Sequence, residues 1–193
     1  SIAMCGKYIE LPDAYKSVME AFIHAGVENN AHVNLKWIQT DKLTNDKRIS
    51  EALNDIDGVL LLPGFGPRGS EGKIKVCEYS RINNIPFLGI CLGLQGAVID
   101  FARNVCGLKN ANSTEFNRKT KYPVIDLMEE QKGVTEKGGT MRLGGYTCEL
   151  KKGSLVYDAY QNRGNQTVWI RFTGVDVPQG VSILNAYVQF QAD

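Results

Sequence analysis

The amino-acid sequence predicts an α/β fold: a mostly parallel sheet with helices on both faces and a small antiparallel part toward the C-terminus. Two observations carry this prediction. Over the first two-thirds of the 193 residues, short apolar runs alternate with segments of helical periodicity. After Leu108, short alternating runs separated by glycine turns take over. Strands connected by helices form right-handed crossovers, which give a parallel sheet that is buried on both faces.

The apolar pattern predicts each element in turn. Strands are expected at residues 1–8, 32–39, 58–62 and 85–90. The first helix is expected to end at Gly26, and three more helices are expected at 47–54, 71–83 and 92–105. In the last of these we expect one apolar face, formed by Leu94, Val98, Phe101 and Val105. Further along, the pattern predicts a loop at 129–139 and antiparallel strands at 141–150, 167–172 and 182–190.

Composition narrows the function classes. The net charge of +1, with 43% apolar and 22% charged residues, is typical of a soluble single domain over 1–193, without a nucleic-acid footprint or a membrane-attracted face. No apolar run has the length of a membrane span, and the first residues do not form a signal peptide. The cysteines are odd in number and lack Cys-x-x-Cys spacing, which argues against a disulfide framework or a metal site and favours a reducing, cytoplasmic location. They are Cys5, Cys77, Cys91, Cys106 and Cys148.

Cys91 lies where a predicted strand meets a predicted helix, between Gly89 and Gly93. This Gly-x-nucleophile-x-Gly pattern is typical of a nucleophile elbow, where small flanking residues let neighbouring backbone pass close by. The helix N-terminus would favour the thiolate and supply N–H groups for an oxyanion. The alternative is that Cys91 is a small buried hydrophobic residue.

Two further segments are candidates for the same site. The glycine-rich run 62–73 is not a phosphate-binding loop, because Pro67 and Ile74 stand where that motif needs glycine and Ser or Thr. It is better interpreted as a turn at the carboxyl end of the neighbouring strand, facing the elbow, or simply as a turn. The run 112–115 resembles a capped turn that leaves Glu115 free to point at a ligand amine, or else a solvated loop.

Taken together, these motifs resemble the class I glutamine amidotransferase domain of CTP synthase. The resemblance covers about residues 1–160, in order and with similar spacing. The matching motifs are Gly6-Lys7-Tyr8, Leu11-Pro12-Asp13-Ala14-Tyr15, Gly64-Phe65-Gly66-x-Arg68-Gly69, Asn84 through Gln95, Phe101-Ala102-Arg103-Asn104-Val105, Ala111-Asn112-Ser113-Thr114-Glu115-Phe116 and Gly138-Gly139-Thr140-Met141-Arg142-Leu143-Gly144.

The resemblance implies a flavodoxin-like sheet and hydrolysis of glutamine through a cysteinyl thioester. The ammonia would pass to a synthetase domain that uses ATP and Mg to aminate UTP, in a homo-oligomer regulated by GTP; this domain itself would need no cofactor. By position, the resemblance implies the following roles: Cys91 as nucleophile, Leu92 and Gly64 at the oxyanion, and Gln95, Glu115 and Phe65 at the substrate.

Three departures from the family pattern stand out. Where the family usually has a Pro-Gly-Gly-Phe-Gly turn, this chain has Leu62-Pro63-Gly64-Phe65-Gly66. The proline at position 63 removes one backbone N–H. The His/Arg-rich stretch is absent, and Arg171-Phe172 only faintly resembles it. After the Val-Gln-Phe strand at 188–190, Gln191 and Asp193 stand where the family has its catalytic His and Glu, within a divergent and shortened segment 161–193. Glutamine has no pKa suited to a general base.

We expect neither histidine of the chain to take the place of this base. His24 is near the end of the first predicted helix and His32 opens the next strand, both at the amino edge of the sheet, whereas the elbow is at the carboxyl edge. Three hypotheses therefore stay open. They are the glutaminase half of a CTP synthase, a pseudo-glutaminase that binds glutamine or a partner without turnover, and a different cysteine enzyme on the same core.

Overall fold

The computed structural model describes residues 1–7, 9–126 and 149–161. The strands are β1 (Ile2–Gly6), β2 (Leu35–Gln39), β3 (Gly58–Leu61), β4 (Phe87–Gly89), β5 (Asn112–Ser113) and β6 (Pro123–Ile125). The helices are α1 (Lys16–Glu28), α2 (Asp46–Ala52), α3 (Ser70–Ile82), α4 (Leu92–Asn104) and α5 (Leu155–Gln161), with short 3-10 helices at Pro12–Tyr15 and Thr40–Lys42. The loop predicted at 129–139 and most of the predicted antiparallel strands lie outside the described residues.

The main sheet has four parallel strands in the order β2-β1-β3-β4. In its register Met4 lies between Trp37 on β2 and Leu60 on β3. This order is the flavodoxin-like arrangement, in which the chain reverses direction across the sheet between β1 and β3. The prediction of a parallel α/β sheet is confirmed.

Helices cover both faces of the sheet, because alternate side chains of each strand point to opposite sides. On one face Met4 and Leu60 pack with Tyr15 and, on α1, Val18 and Phe22. On the other face the strands pack against α2, α3 and α4 in a larger apolar cluster. It contains Ala3, Cys5, Val59, Leu61 and Phe87 from the strands, Ile49, Val76, Cys77 and Ala97 from the helices, and Leu53 directly after α2.

Two details of the predicted helices are wrong. Gly26 does not end the first helix, which continues to Glu28; it is buried inside α1, where a side chain would meet the Ala31 carbonyl oxygen. On α4 the predicted apolar face is only partly correct, because Phe101 is 43% and Val105 51% exposed. The reason is that α4 turns its small residues, including Gly93 and Ala97, toward the sheet and α3.

A second, two-stranded sheet lies beside α4. β5 and β6 pair in parallel, and Ile125 on β6 packs with Ile74 on α3 and Ile99 on α4. The capped turn predicted at 112–115 is therefore a short strand followed by a turn. Anchoring β6 to α3 and α4 fixes the position of the residues that follow β5. Among the described residues no helix is both long and apolar enough to cross a membrane.

A buried carboxylate joins α3 to α4. Asp100 is fully buried and accepts hydrogen bonds from Arg81 Nε at 2.9 Å and Nη2 at 3.1 Å, and from Asn104 Nδ2 at 2.8 Å. The hydrogen bond to Asp100 is the main cause that raises the pKa of Arg81. A bidentate pair of this kind gives directional as well as electrostatic stabilisation. It holds the two helices that flank the elbow in a fixed relation.

We expect Asp100→Asn to lower the free energy of unfolding by about 3 kcal/mol, because it removes the charge that pairs with the largely buried Arg81 guanidinium. Urea titration followed by circular dichroism measures this. As a control, Lys47→Met breaks the exposed pair between Lys47 and Glu51, 3.9 Å apart, and should change stability by less than about 0.5 kcal/mol. Equal effects of the two substitutions on stability would contradict the conclusion that Asp100 holds α3 and α4 together.

Candidate active site

Cys91 lies between the end of β4 and the start of α4, in a conformation that is unusual for a side chain other than glycine. Its backbone angles are φ 55° and ψ −108°. A positive φ of this kind is strained, at a cost of about 1–3 kcal/mol, and persists only where the surrounding structure enforces it. The turn leaves Cys91 half-buried at the carboxyl edge of the sheet, where open α/β folds bind their ligands.

The glycines on either side of Cys91 enforce this turn. A Cβ on Gly93 would lie 2.3 Å from the Leu61 carbonyl oxygen, and a Cβ on Gly89 would lie 2.6 Å from the Gly93 carbonyl carbon. Both distances are far below van der Waals contact, so only glycine fits at either position. The Ile90 N–H also donates to the Leu61 carbonyl at 3.0 Å. The elbow is therefore held directly against the end of β3.

The turn at residues 64–66, called the glycine turn below, follows β3 and packs on the elbow. Gly64 is buried, and a Cβ placed on it would lie 3.6 Å from Leu92 Cδ2. Leu92 is the first residue of α4, where backbone N–H groups have no acceptor within the helix. The turn therefore packs against the first residue of α4.

Two lysines support the glycine turn from beneath, and sequence reasoning missed both. Lys7, directly after β1, donates from Nζ to the Phe65 carbonyl and, at 3.4 Å, to the Gly66 carbonyl. Lys73, on α3, donates to the Leu62 carbonyl. A polar residue at the carboxyl end of a buried strand is the signal that could have identified Lys7. Lys73 was considered only as part of a phosphate-loop motif that does not match.

Glu115 reaches the glycine turn from the second sheet. Its Oε1 accepts a hydrogen bond from the Gly66 N–H at 2.7 Å, and its own N–H donates to Ser113 Oγ at 3.1 Å. The carboxylate is therefore drawn toward the thiol site and is bound to the turn. We expected this side chain to be free to point at a ligand; the structure instead shows that one of its oxygens supports the turn.

Gln95 and the main chain around it complete the elbow. Gln95 is buried and lies four residues after Cys91, on the same face of the first turn of α4. Its backbone N–H donates to the Cys91 carbonyl at 3.1 Å. The structure describes all five of the predicted oxyanion and substrate residues, which lie at the elbow, in the glycine turn or in contact with that turn. They are Leu92, Gly64, Phe65, Gln95 and Glu115.

The other described cysteines lie in different surroundings. Cys5 and Cys77 are completely buried, and desolvation raises the pKa of Cys5 to about 12 and that of Cys77 well above its usual value. Neither thiol ionises readily at neutral pH. Cys106 is exposed beyond the end of α4. Among the described residues, Cys91 alone is a cysteine at a strained strand-to-helix turn.

The histidines lie at the opposite edge of the sheet from Cys91. His24 is exposed on α1, and His32 is exposed in the connection before β2, so it does not open that strand as predicted. The Asn34 carbonyl, two residues further on, accepts from the Ile2 N–H where β1 begins. Gln191 and Asp193 lie outside the described residues. Within the described ranges no group of three or more His, Cys, Asp or Glu side chains is arranged to hold a metal ion.

Strained cysteine, glycine turn and parallel sheet together define a class of protein, and a family comparison agrees. The family model described as glutamine amidotransferase class-I matches residues 10–180. This chain belongs to the class-I glutamine amidotransferase family. The resemblance inferred from the sequence motifs is thereby confirmed.

Individual relatives carry a more specific name. The chain is 58% identical over 162 residues to a CTP synthase of Chlorobium phaeobacteroides and 60% identical over 160 residues to one of Cytophaga hutchinsonii. These alignments cover 83% of this chain but only 29% and 30% of the relatives, so the chain spans less than a third of their length. A solved structure of the Trypanosoma brucei CTPS glutaminase domain with bound acivicin matches with a TM-score of 0.71 and 33% identity. It covers 82% of this chain and 61% of that one.

The burial of Lys73 predicts a pH-dependent stability. Desolvation and then the charge of Lys7 lower the pKa of Lys73 from 10.5 to about 8, a shift worth about 3 kcal/mol. Between these two values the unfolded chain holds a proton that the folded chain has lost, so stability rises with pH.

Lys73→Met removes this rise. We expect the stability of the variant relative to the unmodified chain to fall by about 2–3 kcal/mol from pH 7 to pH 10, measured by urea unfolding at both values. The comparison between the two chains cancels the titration of the buried cysteines. A difference that does not change with pH would show that Lys73 keeps an ordinary pKa.

Proposed function

We propose that this chain is the glutamine-hydrolysing part of a CTP synthase. The observation that carries the proposal is the strained Cys91 at the start of α4, packed against a glycine turn that Glu115 also contacts. In the proposed reaction the Cys91 thiolate attacks the side-chain amide carbon of glutamine. The amide nitrogen takes up the proton that the thiol released and leaves as ammonia, a γ-glutamyl thioester forms on Sγ, and water then releases glutamate and restores the thiol.

Each described side chain has a part in this proposal. The N-terminal end of α4 favours the thiolate and offers the Leu92 N–H to the oxyanion of the tetrahedral intermediate. The proposal gives the backbone of Gly64 the same role from the side of the turn, and the packing of Gly64 against Leu92 supports it. An oxyanion donor of this kind contributes about 3–4 kcal/mol to lowering the barrier. Gln95, Glu115 and Phe65 would bind the amino-acid end of glutamine.

The larger reaction would require a second part of the enzyme. In this proposal ammonia passes to a synthetase domain, which uses ATP and Mg to aminate UTP to CTP. The length of the CTP synthase relatives, of which this chain matches under a third, supports such a partner. Assembly as a homo-oligomer, regulation by GTP and a cytoplasmic location belong to the same proposal. The proposal also includes that this domain uses no cofactor and that the protein has no nucleic-acid or membrane partner.

A pseudo-glutaminase is the second candidate. It is favoured by Gln191 and Asp193 at the family positions of the catalytic histidine and glutamate. It is also favoured by the position of both histidines at the far edge of the sheet. Such a protein would bind glutamine, or form the thioester slowly, and would deacylate still more slowly because no group activates water.

We expect acivicin to label Cys91, since the thiol is half-buried at a site of glutaminase geometry, and mass spectrometry of the digested chain locates the adduct. Cys91→Ala should abolish labelling. Cys106→Ala removes an exposed thiol outside the site and should leave labelling unchanged, which makes it the matched control. Labelling of Cys106 rather than Cys91 would contradict the assignment of the nucleophile.

Ammonia release from glutamine then separates the two candidates. Turnover that Cys91→Ala abolishes and Cys106→Ala preserves would establish a glutaminase. Labelling of Cys91 without turnover would establish the pseudo-glutaminase. A chain that acivicin does not label at all would contradict both.

A further inference from the structure

Lys73 is a charged side chain in a place where lysine is rarely found. It lies on α3 and is only 1% exposed, which makes it the largest of the fully buried side chains among the described residues. Lysine is almost never buried to this extent unless it has a partner. The partner that the structure shows is the carbonyl oxygen of Leu62, the residue just after β3. The nitrogen also lies 3.8 Å from the Cβ position of Gly64.

The carbonyl oxygen of Leu62 needs a hydrogen-bond donor from outside the sheet. The Leu62 N–H still follows the ladder of β1 and donates to the Cys5 carbonyl at 2.8 Å. On the other side, β4 bonds to Leu61, whose carbonyl accepts from Ile90. Beyond it comes Pro63, which has no N–H. The Leu62 carbonyl is the last group of the strand before the chain turns, and a buried carbonyl must be satisfied.

The charge of Lys73 is held there at a cost. Desolvation opposes the ammonium, and so does the charge of Lys7, while Cys91 contributes most among the groups that favour it. Cys5 and Cys77 favour it more weakly. An apolar side chain of the same length would fill the space without this cost. The presence of lysine here is therefore explained by the hydrogen bond that its Nζ donates to the Leu62 carbonyl, at the start of the turn beside the proposed nucleophile.

We propose that Lys73 is a positioning residue of the thiol site: by holding the Leu62 carbonyl it fixes the glycine turn against Leu92, in the position from which the turn closes on the substrate. The inference rests on the proposed glutaminase function. It adds to that function a residue that neither touches glutamine nor takes part in proton transfer. Its effect passes through the backbone from Leu62 to Gly64.

The test compares Lys73→Met with Lys75→Met on the same helix. Methionine keeps the length of the side chain and removes its donor. Lys75 is part-exposed and binds Asp46 at 2.8 Å, away from the turn, so its substitution is the matched control. Two reagents are used on each chain: acivicin, which the turn must seat, and iodoacetamide, which needs only an accessible thiolate. The ratio of their rates at Cys91 cancels any change in ionisation of the thiol, because both react with the thiolate.

We expect the ratio of the acivicin rate to the iodoacetamide rate to fall at least tenfold in Lys73→Met and to stay within twofold in Lys75→Met. Amide hydrogen exchange should rise in the peptide that contains residues 62–66 only in Lys73→Met. Unchanged exchange in this peptide, or an unchanged ratio in a chain that acivicin labels, would overturn the proposal. A general rise in exchange over α3 and β3 would also overturn it, since Lys73 would then support the whole fold.

The exchange measurement keeps the two proposals apart. If acivicin fails to label the unmodified chain while Lys73→Met still loosens the turn, the glutaminase proposal fails. The role of Lys73 in holding the turn then stands.

Discussion

The contact between Gly93 and the carbonyl oxygen of Leu61 is the constraint on which the site depends. A side chain at position 93 would begin 2.3 Å from that oxygen, so the start of α4 can approach the end of β3 only as glycine. This close approach forces the chain to turn within Ile90 and Cys91 and gives Cys91 its positive φ. The small residues of α4 then face the sheet, and Phe101 and Val105 are left on the outside. The strain at Cys91 is thus a consequence of packing between a helix and a strand.

Around this contact, the structure stabilises the glycine turn from three directions. Lys7 reaches it from β1, Lys73 reaches its beginning from α3, and Glu115 reaches it from the turn after β5. All three donate to or accept from backbone groups between Leu62 and Gly66, which holds the turn in place. Two of these three groups are buried ammonium groups and the third is a carboxylate, so together they give the glycine turn a net positive charge.

The family match over residues 10–180 includes the whole segment that forms the elbow, the glycine turn and the contact from Glu115. The elbow, the turn and Glu115 all come from residues 61–115 and are assembled by the parallel sheet and the β5–β6 pair. The elbow, the glycine turn and the contact from Glu115 thus all lie within the residues that the structure describes.

The sequence by itself determined the parallel α/β fold, the family, and Cys91 as the residue at the elbow. Its information is local: apolar periodicity, two glycines around a cysteine, and short motifs in order. It could not reveal that Lys7 and Lys73 meet beneath the glycine turn, because they are far apart in the chain and each looks like an ordinary surface lysine. It also misplaced the buried face of α4, since apolar spacing cannot show that glycines will let a helix approach a strand backbone. The tertiary structure decided these points, because burial and the demand for hydrogen-bond partners arise only when separate segments pack together.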